Sequence, residues 1–108
     1  MDYIKSSEDF FASVNSEDFF TLCVFSAEWC GPCKMLSQVL DQYRSDCIAN
    51  KEKINVIKVN VDSHSDIAAE YNVSSIPTLI LFNGGRAIAD RTGFVSKDEL
   101  HNWVSNYI

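Results

Sequence analysis

The sequence WCGPCK, residues 29–34, contains two cysteines three positions apart, Cys30 and Cys33. A disulfide across so short a span adds little stability, because it closes only a small loop of the unfolded chain. A redox role is therefore favoured. An apolar, strand-like run precedes the motif and a helical pattern follows it, which places Cys30 at the N-terminus of a helix. Unpaired backbone N–H groups and the helix dipole favour a thiolate there over a thiol.

Length and composition indicate one domain over residues 1–108. Hydrophobic residues make up 46% of the chain, a normal share for a globular protein. The formal net charge of −6 argues against a broad phosphate-binding face and against docking on anionic membranes. We expect no nucleic acid and no membrane as partner, and we expect the chain to act as a monomer.

The four cysteines of the chain do not indicate a secreted disulfide framework. The first residues contain no basic and then apolar leader, and apolar runs such as 79–82 are too short to span a membrane. We therefore expect a reducing, cytoplasmic compartment. In such a compartment a C-x-x-C motif is more often catalytic or metal-binding than structural.

Hydrophobic periodicity predicts the element order β-α-β-α-β-α-β-β-α. The predicted strands cover residues 3–5, 20–26, 54–60, 78–82 and 86–91, and the predicted serine N-caps are Ser6, Ser63 and Ser96. The alternating part implies parallel pairing, whereas the turn Asn83-Gly84-Gly85 predicts an antiparallel hairpin. The fold class is therefore α/β, with three α/β/α layers, four helices and a mixed central sheet of about five strands.

The motif contains the parts that a dithiol exchanger needs. Cys30 is the expected nucleophile, and Cys33, one turn further along the same helix face, is the expected resolving cysteine. Pro32 is tolerated in the first turn, where the N–H that it lacks would have no helical partner. Gly31 leaves room for a substrate disulfide, and Lys34 adds positive charge nearby.

Half of a zinc site is the structural alternative for a C-x-x-C motif. Zinc usually takes four ligands, and the chain has no second C-x-x-C and no H-x-x-x-H. The remaining candidate ligands are scattered: Cys23, Cys47, His64 and His101. We therefore expect no metal, with Cys23 and Cys47 as core residues. A reactive surface position for Cys47 stays open as the alternative.

These motifs make the chain resemble the thioredoxins over essentially its whole length. The matching segments are residues 27–35 (AEWCGPCKM), Lys58-x-Asn60-x-Asp62, residues 76–79 (IPTL) and Gly93. The resemblance implies the thioredoxin fold and a protein disulfide reductase. It also implies that no cofactor is bound and that electrons come from NADPH through a thioredoxin reductase. The implied acceptors are disulfide-containing proteins such as peroxiredoxin, ribonucleotide reductase and methionine sulfoxide reductase.

The same resemblance implies a substrate-binding surface. In thioredoxins the proline that matches Pro77 is cis and faces the disulfide, and Ile76 would offer its backbone to an extended substrate segment. Trp29 and Gly93 would border the same apolar groove. Lys58 matches a lysine that usually lies beside a buried acid, so it is expected to support the active site.

Three positions depart from the family pattern near the motif. Val24 occupies the place of the buried acid, Ser26 that of an aromatic residue, and Gln38 that of a proline that kinks the long helix. Because the acid is thought to help Cys33 lose its proton, we expect the resolving step to be slowed and Lys58 to lack its partner. The alternative is that Val24 stabilises the core and that activity persists through a buried water.

Two other functions remain open at this level. A protein disulfide oxidase or isomerase is disfavoured by Gly31-Pro32, because those relatives usually carry other residues between the cysteines. A binding module that uses the fold as a scaffold, with redox activity secondary, gains some weight from the missing acid.

Overall fold

The computed structural model describes residues 1–108 and contains four helices and four strands. In chain order these are α1 (Ser7–Val14), β1 (Phe20–Ser26), α2 (Gly31–Ala49), β2 (Ile54–Asn60), α3 (Ser65–Glu70), β3 (Thr78–Asn83), β4 (Arg86–Thr92) and α4 (Lys97–Ser105). No helix is both long enough and apolar enough to cross a membrane.

The strands form one mixed sheet in the order β2-β1-β3-β4. β1 is parallel to β2 and antiparallel to β3, and β3 is antiparallel to β4. The predicted hairpin turn is confirmed: Gly84 and Gly85 have φ angles of 57° and 81°, which fit a two-residue turn with positive φ at both central positions.

Helices cover both faces of the sheet, so the predicted three-layer arrangement is confirmed. One apolar cluster lies under α2 and α4 and includes Leu36, Leu40, Leu100 and Val104. The second lies under α1 and α3 and is represented by Phe10. β1 contributes to both clusters, because the side chains of successive strand residues point to opposite faces.

The sheet has four strands rather than about five. Tyr3 makes one isolated parallel bridge with Lys58, and the N–H of Ile4 donates to the Lys58 carbonyl at 2.8 Å. Pairing ends there because the chain enters α1 at Ser7, with Ser6 as its N-cap. The first predicted strand is therefore only a single bridge.

Two of the three predicted serine caps are confirmed and one is wrong. Ser6 and Ser96 accept hydrogen bonds from N–H groups three residues later, as N-caps do. Ser63 does not cap α3, which begins at Ser65 after His64 and has no side-chain cap. The side-chain oxygen of Asn60 instead accepts from the N–H of Ser63, so a turn precedes the helix.

Candidate active site

Cys30 and Cys33 form a disulfide at the N-terminus of α2. Cys30 is the N-cap residue, and its Sγ accepts a hydrogen bond from the Cys33 N–H at 3.3 Å. The two Cα atoms are 5.2 Å apart, within the usual range for a disulfide. Cys30 is 6% exposed and Cys33 is 3% exposed, so the expected difference in access is small in the oxidised form.

The sheet register brings three predicted site segments together at the same end of the sheet: the cysteine motif after β1, Pro77 before β3 and Gly93 after β4. Phe25 pairs with Thr78, and Thr78 pairs with Thr92. Pro77 and Gly93 therefore adjoin the end of β1, from which the chain runs to Cys30. The Gly93 N–H donates to the Pro77 carbonyl at 2.8 Å, which ties the two segments together.

The Ile76-Pro77 peptide bond is cis, as the resemblance implied. Ile76 is partly buried and packs against the cluster under α1 and α3. Gly93 has a φ of +88°, and a Cβ there would meet nothing within 4 Å. Backbone conformation rather than space therefore favours glycine at this position.

The Trp29 ring is exposed to solvent, and its indole N–H is fixed by a hydrogen bond. The residue is 70% exposed, and its indole Nε1–H donates to Asp62 Oδ2 at 2.8 Å. The Asp62 N–H in turn donates to Asn60 Oδ1 at 2.8 Å. The Asn60-x-Asp62 match of the sequence thus has a structural role that sequence reasoning did not assign: it orients Trp29.

Met35 and Phe94 add apolar surface that sequence reasoning missed. They are 58% and 44% exposed, and they line a common groove of about 250 Å³ with Val39. Phe94 directly follows Gly93, and Met35 lies two residues after Cys33. Proximity to these two predicted site residues was the available signal.

The remaining motif residues are open to solvent. A Cβ at Gly31 would meet nothing within 4 Å, which agrees with space for an incoming group. Pro32 lies in the first turn of α2, and the Lys34 side chain is exposed.

Lys58 and Val24 face each other across the β1–β2 register. Val24 is 2% exposed and belongs to the apolar cluster under α2 and α4. The Lys58 Nζ donates to Ser37 Oγ at 3.2 Å and lies 4.2 Å from the centre of the Tyr3 ring. Lys58 thus lacks an acidic partner, as expected. It instead contacts the Ser37 hydroxyl and the Tyr3 ring. The expectation that Val24 slows the resolving step stays a prediction.

A cavity of about 390 Å³ separates the N-terminal segment from the start of α2. Its lining includes Cys33, Ser37, Lys58, Tyr3 and Ser26. The Tyr3 hydroxyl donates to Ser26 Oγ at 3.4 Å, so the side chain from the N-terminal segment occupies the space above the small Ser26. Sequence reasoning missed both Tyr3 and Ser37. Tyr3 is distant from the motif in sequence, and Ser37 follows the motif but is not part of its pattern.

The two other cysteines are core residues, as predicted. Cys23 is 0% exposed, and burial raises the pKa of its thiol well above the usual value. Burial, followed by a hydrogen bond with Glu52, raises the pKa of Cys47 to about 11. Both side chains therefore remain thiols at neutral pH. No three His, Cys, Asp or Glu side chains come together as a group that could hold a metal ion.

Comparison with known proteins agrees with this geometry. The thioredoxin family model matches residues 3–106. The chain is 39% identical over 104 residues to a thioredoxin from Chlamydia trachomatis, covering 96% of both chains. It is 36% identical over 103 residues to one from Rickettsia felis, covering 95% of both, and 32% identical over 108 residues to one from Bacillus subtilis, covering both completely.

A cysteine pair at a helix N-terminus, a neighbouring cis-proline and this mixed sheet agree with a match that spans nearly the whole sequence. The chain belongs to the thioredoxin family, has the thioredoxin fold, and is a thiol–disulfide oxidoreductase that reduces disulfides.

Proposed function

We propose that Cys30 attacks a disulfide in a partner protein and that Cys33 then resolves the mixed disulfide. The observation that carries this assignment is the N-cap position of Cys30, where its sulfur accepts the Cys33 N–H. A helix N-terminus stabilises negative charge, so Cys30 is the better thiolate once the pair is reduced. Cys33, inside the first turn, is within reach of the Cys30 sulfur.

The substrate segment runs along the edge that contains Ile76, Pro77 and Gly93. The partial exposure of Ile76, next to the cis-proline, supports a short β-type contact with an extended chain. Trp29 supplies an apolar wall, and open space at Gly31 leaves room for the substrate sulfur. Pro32 supports the first turn, and the positive charge of Lys34 favours the thiolate form.

Family membership implies a thioredoxin reductase and disulfide-containing proteins as the general kind of partner. More specifically, electrons come from NADPH through that reductase. The acceptors are peroxiredoxin, ribonucleotide reductase or methionine sulfoxide reductase. The chain acts as a monomeric domain over residues 1–108, in the cytoplasm, without nucleic acid or membrane partners.

Reduction of insulin by NADPH and a thioredoxin reductase tests the assignment. Cys30→Ser should abolish turnover, whereas Cys33→Ser should retain attack and accumulate a mixed disulfide through Cys30. Cys47→Ala, which removes a buried thiol outside the motif, should leave the rate unchanged. Turnover by Cys30→Ser would overturn the assignment.

Two further outcomes would point to the other functions. At equilibrium with a glutathione redox buffer, a Cys30–Cys33 pair that is mostly oxidised has a low reduction potential, which supports a reductase. A pair that is mostly reduced has a high potential, which supports an oxidase or isomerase. Tight binding of a partner protein by the Cys30→Ala, Cys33→Ala double variant, with no turnover by the unmodified chain, would favour a binding module.

A further inference from the structure

Lys58 is a partly buried cation with no carboxylate within ion-pair distance. The ion pairs of the structure involve other side chains. The contacts of its Nζ are the Ser37 hydroxyl at 3.2 Å and the Tyr3 ring at 4.2 Å from the ring centre. Neither contact neutralises the charge. Because water screens partly buried charges less than exposed ones, the ammonium acts strongly on nearby groups.

The arrangement of α2 brings this charge close to Cys33. Ser37 follows Cys33 by four residues, so the two side chains are neighbours on one face of the helix. Cys33, Ser37 and Lys58 line the same cavity. The Tyr3 hydroxyl donates to Ser26, and the Tyr3 ring contacts the Lys58 ammonium.

The other charged groups around the cavity leave the charge of Lys58 uncancelled. Glu28 and Lys34 have opposite charges, and both are exposed. The Asp41 carboxylate lies 3.2 Å from the N-terminal nitrogen of Met1. Lys58 is therefore the one cation of the cavity lining that is both partly buried and without an acidic counterpart.

We propose that Lys58 is the counter-ion of the Cys33 thiolate in the resolving step, and thus a positioning residue that acts through charge. Val24, directly across from it in the sheet, supplies no negative charge to cancel the ammonium. An opposite charge within about 4–6 Å favours the ionised form of a group. The inference rests on the proposed roles of Cys30 and Cys33.

The step balances without any further reactant. The Cys33 thiol releases its proton to solvent, and the thiolate attacks Cys30 Sγ in the mixed disulfide. The bond between Cys30 and the substrate sulfur breaks as the Cys30–Cys33 bond forms. The substrate sulfur leaves with the electron pair and takes up a proton. Over the cycle the two thiols of this chain are oxidised to a disulfide, and the substrate disulfide is reduced to two thiols.

Stopped-flow reaction of the reduced protein with 5,5′-dithiobis(2-nitrobenzoate) separates the two steps. Attack by Cys30 releases the first coloured thiolate at a rate proportional to reagent concentration. Resolution by Cys33 releases the second at a rate independent of it. If a Lys58 variant changes only the second phase, Lys58 acts on the resolving step. If the unmodified protein shows no first phase, the proposed role of Cys30 is wrong.

Lys58→Met should raise the pH midpoint of the second phase by about one unit. Thiolate nucleophilicity rises with thiol pKa, so the rate at neutral pH should fall only about threefold and the high-pH plateau should rise about threefold. The two pH profiles should therefore cross. A merely structural loss would lower the rate at every pH.

Lys58→Arg should restore the midpoint because it restores the charge. Lys53→Met, which removes an exposed lysine just before β2, should leave both phases unchanged. An unshifted midpoint in Lys58→Met, or an equal shift in Lys53→Met, would overturn the inference.

Discussion

The Trp29–Asp62 hydrogen bond shows how a single side chain can shape a substrate surface without touching the reacting sulfurs. A large exposed ring is held at 2.8 Å by an acid from the segment after β2. Without that acceptor, the ring is free to adopt other rotamers. A substrate would then have to order it at an entropic cost.

Asp62→Ala should therefore weaken substrate reduction more than it weakens the fold. We expect kcat/KM for insulin reduction to fall several-fold, with a loss of unfolding free energy of only about 0.5–1.5 kcal/mol, typical of one hydrogen bond. In a Trp103→Phe background, where Trp29 is the only tryptophan, fluorescence anisotropy should report a more mobile ring. Asp66→Ala removes an exposed acid from the first turn of α3 and should leave kcat/KM unchanged; equal losses in both variants would contradict this role.

Residue types and spacing predicted the cysteine pair as a redox site, and the resemblance to thioredoxins implied that the cis-proline segment and Gly93 belong to it. They did not reveal the contacts of Lys58 with Ser37 and Tyr3. Such contacts join side chains from distant segments. Periodicity describes only which face of an element is apolar, so it carries no information about these partners.

At the scale of elements, Ser63 and Ser96 show that one sequence signature has two structural outcomes. Each is followed three residues later by an acid, a pattern typical of a helix N-cap. Ser96 caps α4 at 3.2 Å, but the Asn60 side chain organises the turn that contains Ser63. The Asn60 side chain binds the Ser63 N–H and forms a turn in place of a serine cap. Asn60 lies outside the four-residue pattern that predicts a cap.

The two serines should differ in their contribution to stability. Ser96→Ala removes a cap and should lower the unfolding free energy by about 1 kcal/mol. Ser63→Ala removes an exposed hydroxyl that makes no side-chain hydrogen bond and should change it by less than about 0.5 kcal/mol. Urea unfolding of both variants measures the difference; equal losses would mean that Ser63 also acts as a cap.

At the scale of the whole molecule, the apolar cluster under α2 and α4 makes stability at alkaline pH depend on keeping Cys47 protonated. Burial raises the pKa of this thiol to about 11, above the value of about 8.5 expected for an unfolded cysteine. Between these values the unfolded state loses the proton and the folded state keeps it. The stability contribution is therefore complete below the unfolded pKa and is lost as pH rises through the folded one.

We therefore expect the free energy of unfolding to fall as pH increases from about 8.5 to 11, with at most about 1.4 kcal/mol per pH unit from this single group. Cys47→Ala should reduce that slope, although removal of a buried side chain will lower stability at all pH values. Denaturant unfolding at several alkaline pH values, under conditions that keep thiols reduced, measures both effects. An unchanged slope in the variant would contradict a buried, protonated Cys47.

The edge strand β4 has a consequence for the protein in concentrated solution. The strand contains three charged residues, Arg86, Asp90 and Arg91. Its register with β3 is irregular at Leu81/Phe82. Charged side chains and bulges oppose the addition of a second copy, strand on strand. The other edge of the sheet, at β2, is partly occupied by the bridge from Tyr3. A folded molecule thus offers no long, regular template for cross-β growth, so any fibril would have to begin from an opened form.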